Sequence, residues 1–151
     1  MHDLNKAQIM KLFQFDNTAR VISDAYVASS SGHVQTGDVV HLSFPESNGD
    51  CHVKSGHIRN TDSYVIKIAS GFYDNPSKGL PSSNGMMLAF SATTGEPTAI
   101  LRDEGWLTDM RTGIGGAVAT RALAAKSAKK VLIIGSGIQA QFQAKCLASL
   151  M

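Results

Sequence analysis

Three groups of residues in this 151-residue chain have the types and spacing to do chemistry. The first is Gly135-Ser136-Gly137-Ile138-Gln139-Ala140, directly after the apolar run VLII at 131–134. This is G-x-G-x-x-A where a strand would turn into a helix. The first glycine permits the tight turn, the second lets a pyrophosphate approach the backbone, and the alanine lets helix and strand pack closely. The helix N-terminus adds N–H donors that have no intrahelical partner. A glycine-rich turn that binds nothing has the same local pattern. The acidic residue that reads the ribose, about 20 positions on in such sites, would fall beyond Met151, so NAD and NADP cannot be told apart here.

The second is Lys67 in YVIKI, residues 64–68. Strand alternation puts Tyr64, Ile66 and Ile68 on one side and Val65, Lys67 and Ala69 on the other. The lysine either stands on a solvent face or points into a cleft, where desolvation lowers its pKa and lets it move protons. The third is Arg111, flanked by Thr108 and Thr112 at a helix start. A cation opposes the N-terminal dipole. Its presence fits either an anionic ligand held bidentately or a salt bridge to Asp103, Glu104 or Asp109. The functional reading requires Lys67 and Arg111 to face one shared cleft.

Other chemistries find no support. The histidines (His2, His33, His41, His52 and His57) lack metal-ligand spacing, although His41 and His57 both fall in strand segments and could share a sheet face. Cys51 and Cys146 are too few and too far apart for a disulfide framework or thiolate zinc site. They read as free thiols of a cytoplasmic protein. No Ser-centred nucleophile elbow occurs, and Asp103-Glu104 reads as a surface hairpin exit. Fourteen Lys+Arg against twelve Asp+Glu leave a net charge of +2, too small an excess to suggest nucleic acid. No apolar run reaches the ~18 residues of a membrane span, and the N-terminus does not read as a secretory signal.

The elements that must position these groups change period along the chain. Asp3 can cap a helix over 4–14 and Asp16 a second over 17–30, closed by Gly32. A polar loop fills 30–38. Strands are expected at 39–44, 51–59, 63–69, 86–92 and 97–103, with turns at PESNGD (45–50) and TTGE (93–96), and a Gly/Pro/Asn/Ser-rich loop over 70–85. Thr108 can cap a helix over 109–126, whose Gly113, Gly115 and Gly116 imply a close packing partner, a nearby ligand or a loose first turn. VLIIG reads as a buried parallel strand, followed by a helix to the end. The fold class is α+β: N-terminal helices with a mixed or antiparallel sheet, followed by the first βα unit of a Rossmann domain. Residues 1–128 form one domain and 129–151 start another. A lone parallel strand cannot satisfy its ladder. Either the chain is a piece of a longer protein, which is the simpler reading, or its tail packs on the first sheet or on another subunit.

With these residues assembled, the sequence resembles the ornithine cyclodeaminase/mu-crystallin family. The resemblance rests on YVIKI (64–68), the loop SGFYDNPSKGLPSSNG (70–85) with Met86-Met87, LTDMRT (107–112) and GSGIQAQFQ (135–143), in order over about 40–151. Its SGFYDNP and GLPSSNG look most like the branch of ectoine-utilisation proteins. The resemblance implies a chain about twice this length, with an N-terminal substrate and dimerisation domain followed by a Rossmann domain. It implies NAD(H) or NADP(H), a small amino acid or cyclic imine substrate, and a homodimer or larger. The activities it implies are cyclising deamination of ornithine, alanine dehydrogenation or ketimine reduction; a non-catalytic crystallin-like protein is the alternative.

By the same resemblance Lys67 is the catalytic lysine and Arg111 binds the substrate carboxylate near the cofactor phosphate. Thr108 and Asn75 stand beside the site, and Gly135, Gly137, Ile138 and Gln139 form the cofactor turn. Where many members carry an arginine as a second carboxylate clamp, this chain has His41, which is shorter and only partly charged near neutrality. The family's acidic catalytic residue lies in a second half absent here, so weak or absent cofactor binding and no turnover are expected of this chain alone.

Overall fold

A computed structural model describes residues 1–150, which divide into two compact units: Met1–Phe13 with Val27–Trp106, and Gln14–Tyr26 with the chain from Leu107 onward. The first unit is built on a mixed seven-stranded sheet. Its strands are β1 (His2–Asn5), β2 (Val34–Thr36), β3 (Val40–Phe44), β4 (Gly49–Ile58), β5 (Ser63–Phe72), β6 (Ser83–Ser91) and β7 (Pro97–Arg102). The order is β1-β7-β6-β5-β4-β2, with β3 also on β4. All pairs are antiparallel except β1 with β7. β4 is long enough to pair β3 along its first half and β2 along its second. Between the pairs Thr36↔Gly56 and Val40↔Val53, residues 37–39 stand opposite 54–55. That extra residue is a bulge, which bends the edge strand.

Turn chemistry explains the hairpins. Asn48 adopts φ 45° after a single 3-10 turn at Pro45–Ser47, and this left-handed residue reverses β3 into β4. Gly95 at φ 75° closes TTGE, where the Ser91 N–H donates to the Glu96 carbonyl at 2.9 Å.

Helix α1 (Lys6–Leu12) also belongs to the first unit. Its cap is Asn5, not Asp3, in a reciprocal box with Gln8: the Asn5 side chain accepts from the Gln8 N–H at 3.0 Å and the Gln8 side chain from the Asn5 N–H at 2.9 Å. Asp3 is instead in β1, where its carboxylate takes Arg102 at 2.9 Å. Two short strands therefore stand outside the five expected. β1 pairs in parallel with residues nearly a hundred positions away, and the three-residue β2 lies within the expected loop. Neither has the length to show an alternating pattern of its own. Helix α2 (Phe15–Ser30) starts one residue before Asp16, and Gly32 at φ 73° closes it as expected.

The second unit contains the start of α2, α3 (Trp106–Leu123, entering from Leu107) and α4 (Ile138–Leu150). Helix α3 begins before Thr108, which therefore does not cap it. Glu104 at φ 54° and Gly105 at φ 81° turn the chain early, and the Trp106 N–H donates to the Asp103 carbonyl at 3.0 Å. Asp103 itself is 1% exposed rather than on the surface. The three glycines of α3 are explained by close packing. A Cβ on Gly113 would lie 2.7 Å from the Phe142 carbonyl oxygen and 2.8 Å from Cys146 Sγ; on Gly116 it would strike the Gln143 carboxamide, and on Gly115 the Tyr26 hydroxyl. Residues 131–135 form no strand, and Leu132 and Ile134 are 84% and 91% exposed. The reason is the ladder: no neighbouring strand among the described residues takes its N–H and C=O groups.

Candidate active site

The β4–β5 hairpin folds about residues 60 and 61, and this register sets one group of candidate residues. Lys67 stands directly opposite Lys54, Ala69 opposite His52, and His52 in turn opposite His41 on β3. Directly paired residues share a sheet face. One face therefore carries His41, Asp50, His52, Lys54 and Lys67. The other is apolar, with Leu42, Val53, Ile66, Ile68, Leu88 and Ile100. Lys67 is half-buried on the polar face, next to Ala69 and with Gly85 of β6 beyond. Its place on the Val65–Ala69 side is as alternation indicated.

The His41 and His52 rings stack with centroids 4.5 Å apart and planes 15° from parallel. His52 Nδ1 lies 3.6 Å from Asp50 Oδ1, and the Tyr73 hydroxyl donates to Asp50 Oδ2 at 3.1 Å. The phenol pKa is raised above 10.0 because it donates to the Asp50 carboxylate and stands beside its negative charge, with a smaller contribution from desolvation. His57 is an odd number of residues from His52 on the same strand, so it faces the opposite side from His41; the expectation of a shared face fails on this register. Lys54, His52, Asp50 and Tyr73 were missed from sequence. Folding the hairpin about 60 and 61 would have found Lys54.

Asn75 sits half-buried in the loop after β5, where its side-chain amide donates to the Pro81 carbonyl at 3.0 Å. The Leu80 N–H returns to the Asn75 carbonyl at 3.0 Å, and Asn48 ties the loop to the β3–β4 turn through Asp74 at 2.9 Å. Asn75 thus shapes the loop bordering this hairpin. An open groove of about 470 Å³ between β2 and β4–β5, lined in part by Gln35, Ser55 and Tyr64, contains none of the sequence-predicted residues.

A second group of candidate residues lies wholly in the other unit. Helices α3 and α4 pack closely: the Gln139 amide donates to Asp109 Oδ1 at 2.5 Å, the Gln143 amide to the Thr112 carbonyl at 3.1 Å, and Cys146 Sγ meets Met110 Sδ at 3.7 Å. The Asp109–Gln139 bond brings the start of α4, just after the Gly135–Gly137 turn, to the first turn of α3. Arg111 is exposed on the second turn of α3 and forms no ion pair among the described residues of its unit; the neighbouring Asp109 is engaged by Gln139. Thr108 is half-buried, and its carbonyl accepts the Thr112 hydroxyl at 2.7 Å. Gly135 has φ 111°, and a Cβ at Gly135 or Gly137 would meet no atom within 4 Å.

These residues fit a dinucleotide phosphate. The turn is an open cradle, and the first N–H groups of α4 have no intrahelical acceptor. The Asp109–Gln139 bond thus brings the start of α4, with Gly135, Gly137, Ile138 and Gln139, to the first turns of α3, which carry Thr108 and Arg111. Lys67 and His41 share a sheet face in the other unit. No group of three or more His, Cys, Asp or Glu able to hold a metal lies among the described residues.

The family model for the ornithine cyclodeaminase/mu-crystallin family matches residues 3–151. A Rhizobium meliloti protein named a dehydrogenase is 38% identical over 149 residues, 98% of this chain and 45% of its own length. The Thermococcus litoralis Delta(1)-pyrroline-2-carboxylate reductase, solved with NADH and L-proline, superposes with a TM-score of 0.91 at 28% identity, over 99% of this chain and 46% of that one. An archaeal alanine dehydrogenase dimer with bound NAD superposes at 0.89 and 28% identity, over 100% and 46%. The chain thus spans about half the length of the relatives it matches. It belongs to the ornithine cyclodeaminase/mu-crystallin family.

Proposed function

We propose that this chain carries the substrate-handling part of an NAD(P)-dependent enzyme of amino-acid and imine metabolism, of ornithine cyclodeaminase type and incomplete as given. In this reading residues 1–128 bind substrate and dimerise, and 129–151 begin the NAD(P)-binding domain. The observation that carries it is the Asp109–Gln139 bond, which ties the start of α4, after the glycine turn, to the start of α3, on which Arg111 stands without an ion pair in its unit. A phosphate-binding turn close to a carboxylate-binding guanidinium is what a dinucleotide enzyme acting on amino acids needs.

Arg111 binds the α-carboxylate bidentately and so fixes the orientation of Cα. Lys67, half-buried on its sheet face, holds or moves the proton at the substrate nitrogen or on attacking water. His41 takes the place of a second carboxylate clamp, and Asn75 holds the bordering loop and contributes to substrate binding. Gly135, Gly137, Ile138 and Gln139 hold the cofactor phosphate through backbone N–H groups, with Thr108 and Arg111 beside them. When bound, NAD or NADP supplies the hydride acceptor and donor.

Cyclic imine reduction or alanine-type dehydrogenation is the second reading, favoured by the two superposed proteins, a pyrroline-carboxylate reductase and an alanine dehydrogenase at 28% identity. The working protein is a homodimer or larger in the cytoplasm; no described helix is long and apolar enough to cross a membrane. The test uses a full-length protein carrying these residues. NADH and NADPH are titrated by fluorescence, then L-ornithine, L-alanine, L-aspartate, L-glutamate and cyclic ketimines are assayed. Cofactor binding with turnover of one class, lost in Arg111→Ala through a raised KM, supports the reading. Binding of neither nucleotide, or none of these substrates turning over, overturns it and leaves the crystallin-like alternative.

A further inference from the structure

We propose that Lys54 determines substrate choice by holding a second anionic group, so that the preferred ligand is a dicarboxylic amino or imino acid rather than a diamino acid. This rests on the reading above, in which Lys67 meets the substrate, and deepens it. Lys54 is the direct cross-strand partner of Lys67, on the same sheet face. At this spacing the two Cβ atoms are ~4.5–5.5 Å apart, and like charges so placed cost stability. Lys54, an exposed residue, forms no ion pair among the described residues. The acidic residue of this face on β4 is Asp50, two positions beyond His52, and it is engaged by the Tyr73 hydroxyl at 3.1 Å.

Further along the face, His52 and His41 continue the basic row as a stacked pair. The floor beside it is made of small residues, with Ala69 opposite His52 on one side and Gly85 on the other. A Cβ on Gly85 would lie 2.5 Å from the Ile68 carbonyl oxygen, so this position stays bare. A low floor beside two opposed ammonium groups accepts a small anion and repels a distal ammonium. A molecule bearing its amine at Lys67 and a further carboxylate at Lys54 is matched; ornithine, with a second ammonium, is not.

The test is calorimetric titration of the full-length protein loaded with NADH, with L-aspartate, L-glutamate, L-ornithine and L-alanine as probes. The expected result is that aspartate or glutamate binds more tightly than ornithine and alanine. Lys54→Ala then weakens that dicarboxylate about tenfold, ~1.4 kcal/mol, without changing alanine. Lys54→Arg restores it, and Lys54→Glu shifts preference to ornithine. Tighter binding of ornithine or alanine by the parent protein overturns the inference and leaves the general reading standing. So does a Lys54→Ala variant that weakens alanine as much as the dicarboxylate, which would mark a merely structural role. NADH binding with none of the four probes bound overturns the inference, and turnover of a cyclic ketimine then leaves the general reading standing.

Discussion

Replacing Gly113 by alanine should destabilise the protein although it improves the helix. Alanine in a helix interior is favoured over glycine by about 1 kcal/mol. Against this, the new Cβ would stand 2.7 Å from the Phe142 carbonyl oxygen, 2.9 Å from the Phe142 carbonyl carbon and 2.8 Å from Cys146 Sγ. Two of these obstacles are backbone atoms of α4, which no rotamer change can move. Overpacking of this kind costs ~1–3 kcal/mol. Subtracting the gain in helix propensity from the upper part of that range leaves a net loss of roughly 1–2 kcal/mol. For a chain of this size that lowers Tm by about 2–8 °C.

Gly116→Ala is the internal control, because its obstacle is the tip of the Gln143 side chain. Gln143 can swing away at the cost of its 3.1 Å bond to the Thr112 carbonyl. That loss of ~1 kcal/mol nearly cancels the helix gain. Thermal and urea melts of both variants check the ordering. A Gly113→Ala protein that melts above the parent would refute close α3–α4 packing as the reason for the glycine.

Three further outcomes follow from the structure. The Tyr73 pKa is raised above 10.0, so its bond to Asp50 is fully present below that value and is lost as pH rises through the raised one; in Asp50→Asn, phenolate absorbance should appear at lower pH, and an unchanged titration would remove Asp50 as the cause. Cys146 is 2% exposed and burial pushes its thiol pKa up, whereas Cys51 is half-buried; native alkylation should mark Cys51 first, with Cys146 reacting on unfolding, and the reverse order would contradict the packing. Val40 and Leu42 on the apolar face of β3 are 54% and 52% exposed, so Leu42→Lys should weaken self-association in sedimentation; a parent protein running as a clean 16.0 kDa monomer at micromolar concentration would count against a dimer.

Legibility followed the range of the signals. YVIKI showed which residues share a side with Lys67 because alternation is local, and Asn48-Gly49 and TTGE marked their turns through the positive φ of Asn48 and Gly95. β1 was invisible because its pairing partner lies in β7. Thr108 was misread as a cap because the earlier turn depends on Glu104 adopting φ 54°, which its residue type does not announce. The burial of Asp103 arises from tertiary packing alone. VLIIG has the composition of a strand, but a strand exists only with neighbours. The opposition of Lys54 and Lys67 was readable from the hairpin midpoint, whereas the stack of His41 on His52 needed the β3 register as well.

The most direct test of the account is the turnover of a full-length Lys67→Ala protein in a nicotinamide-linked assay, beside circular dichroism and a melt to show an unchanged fold. The account predicts a fall in kcat of at least about 10²-fold, the scale of a lost proton-transfer group, with NADH binding retained. Parent-like turnover would contradict it.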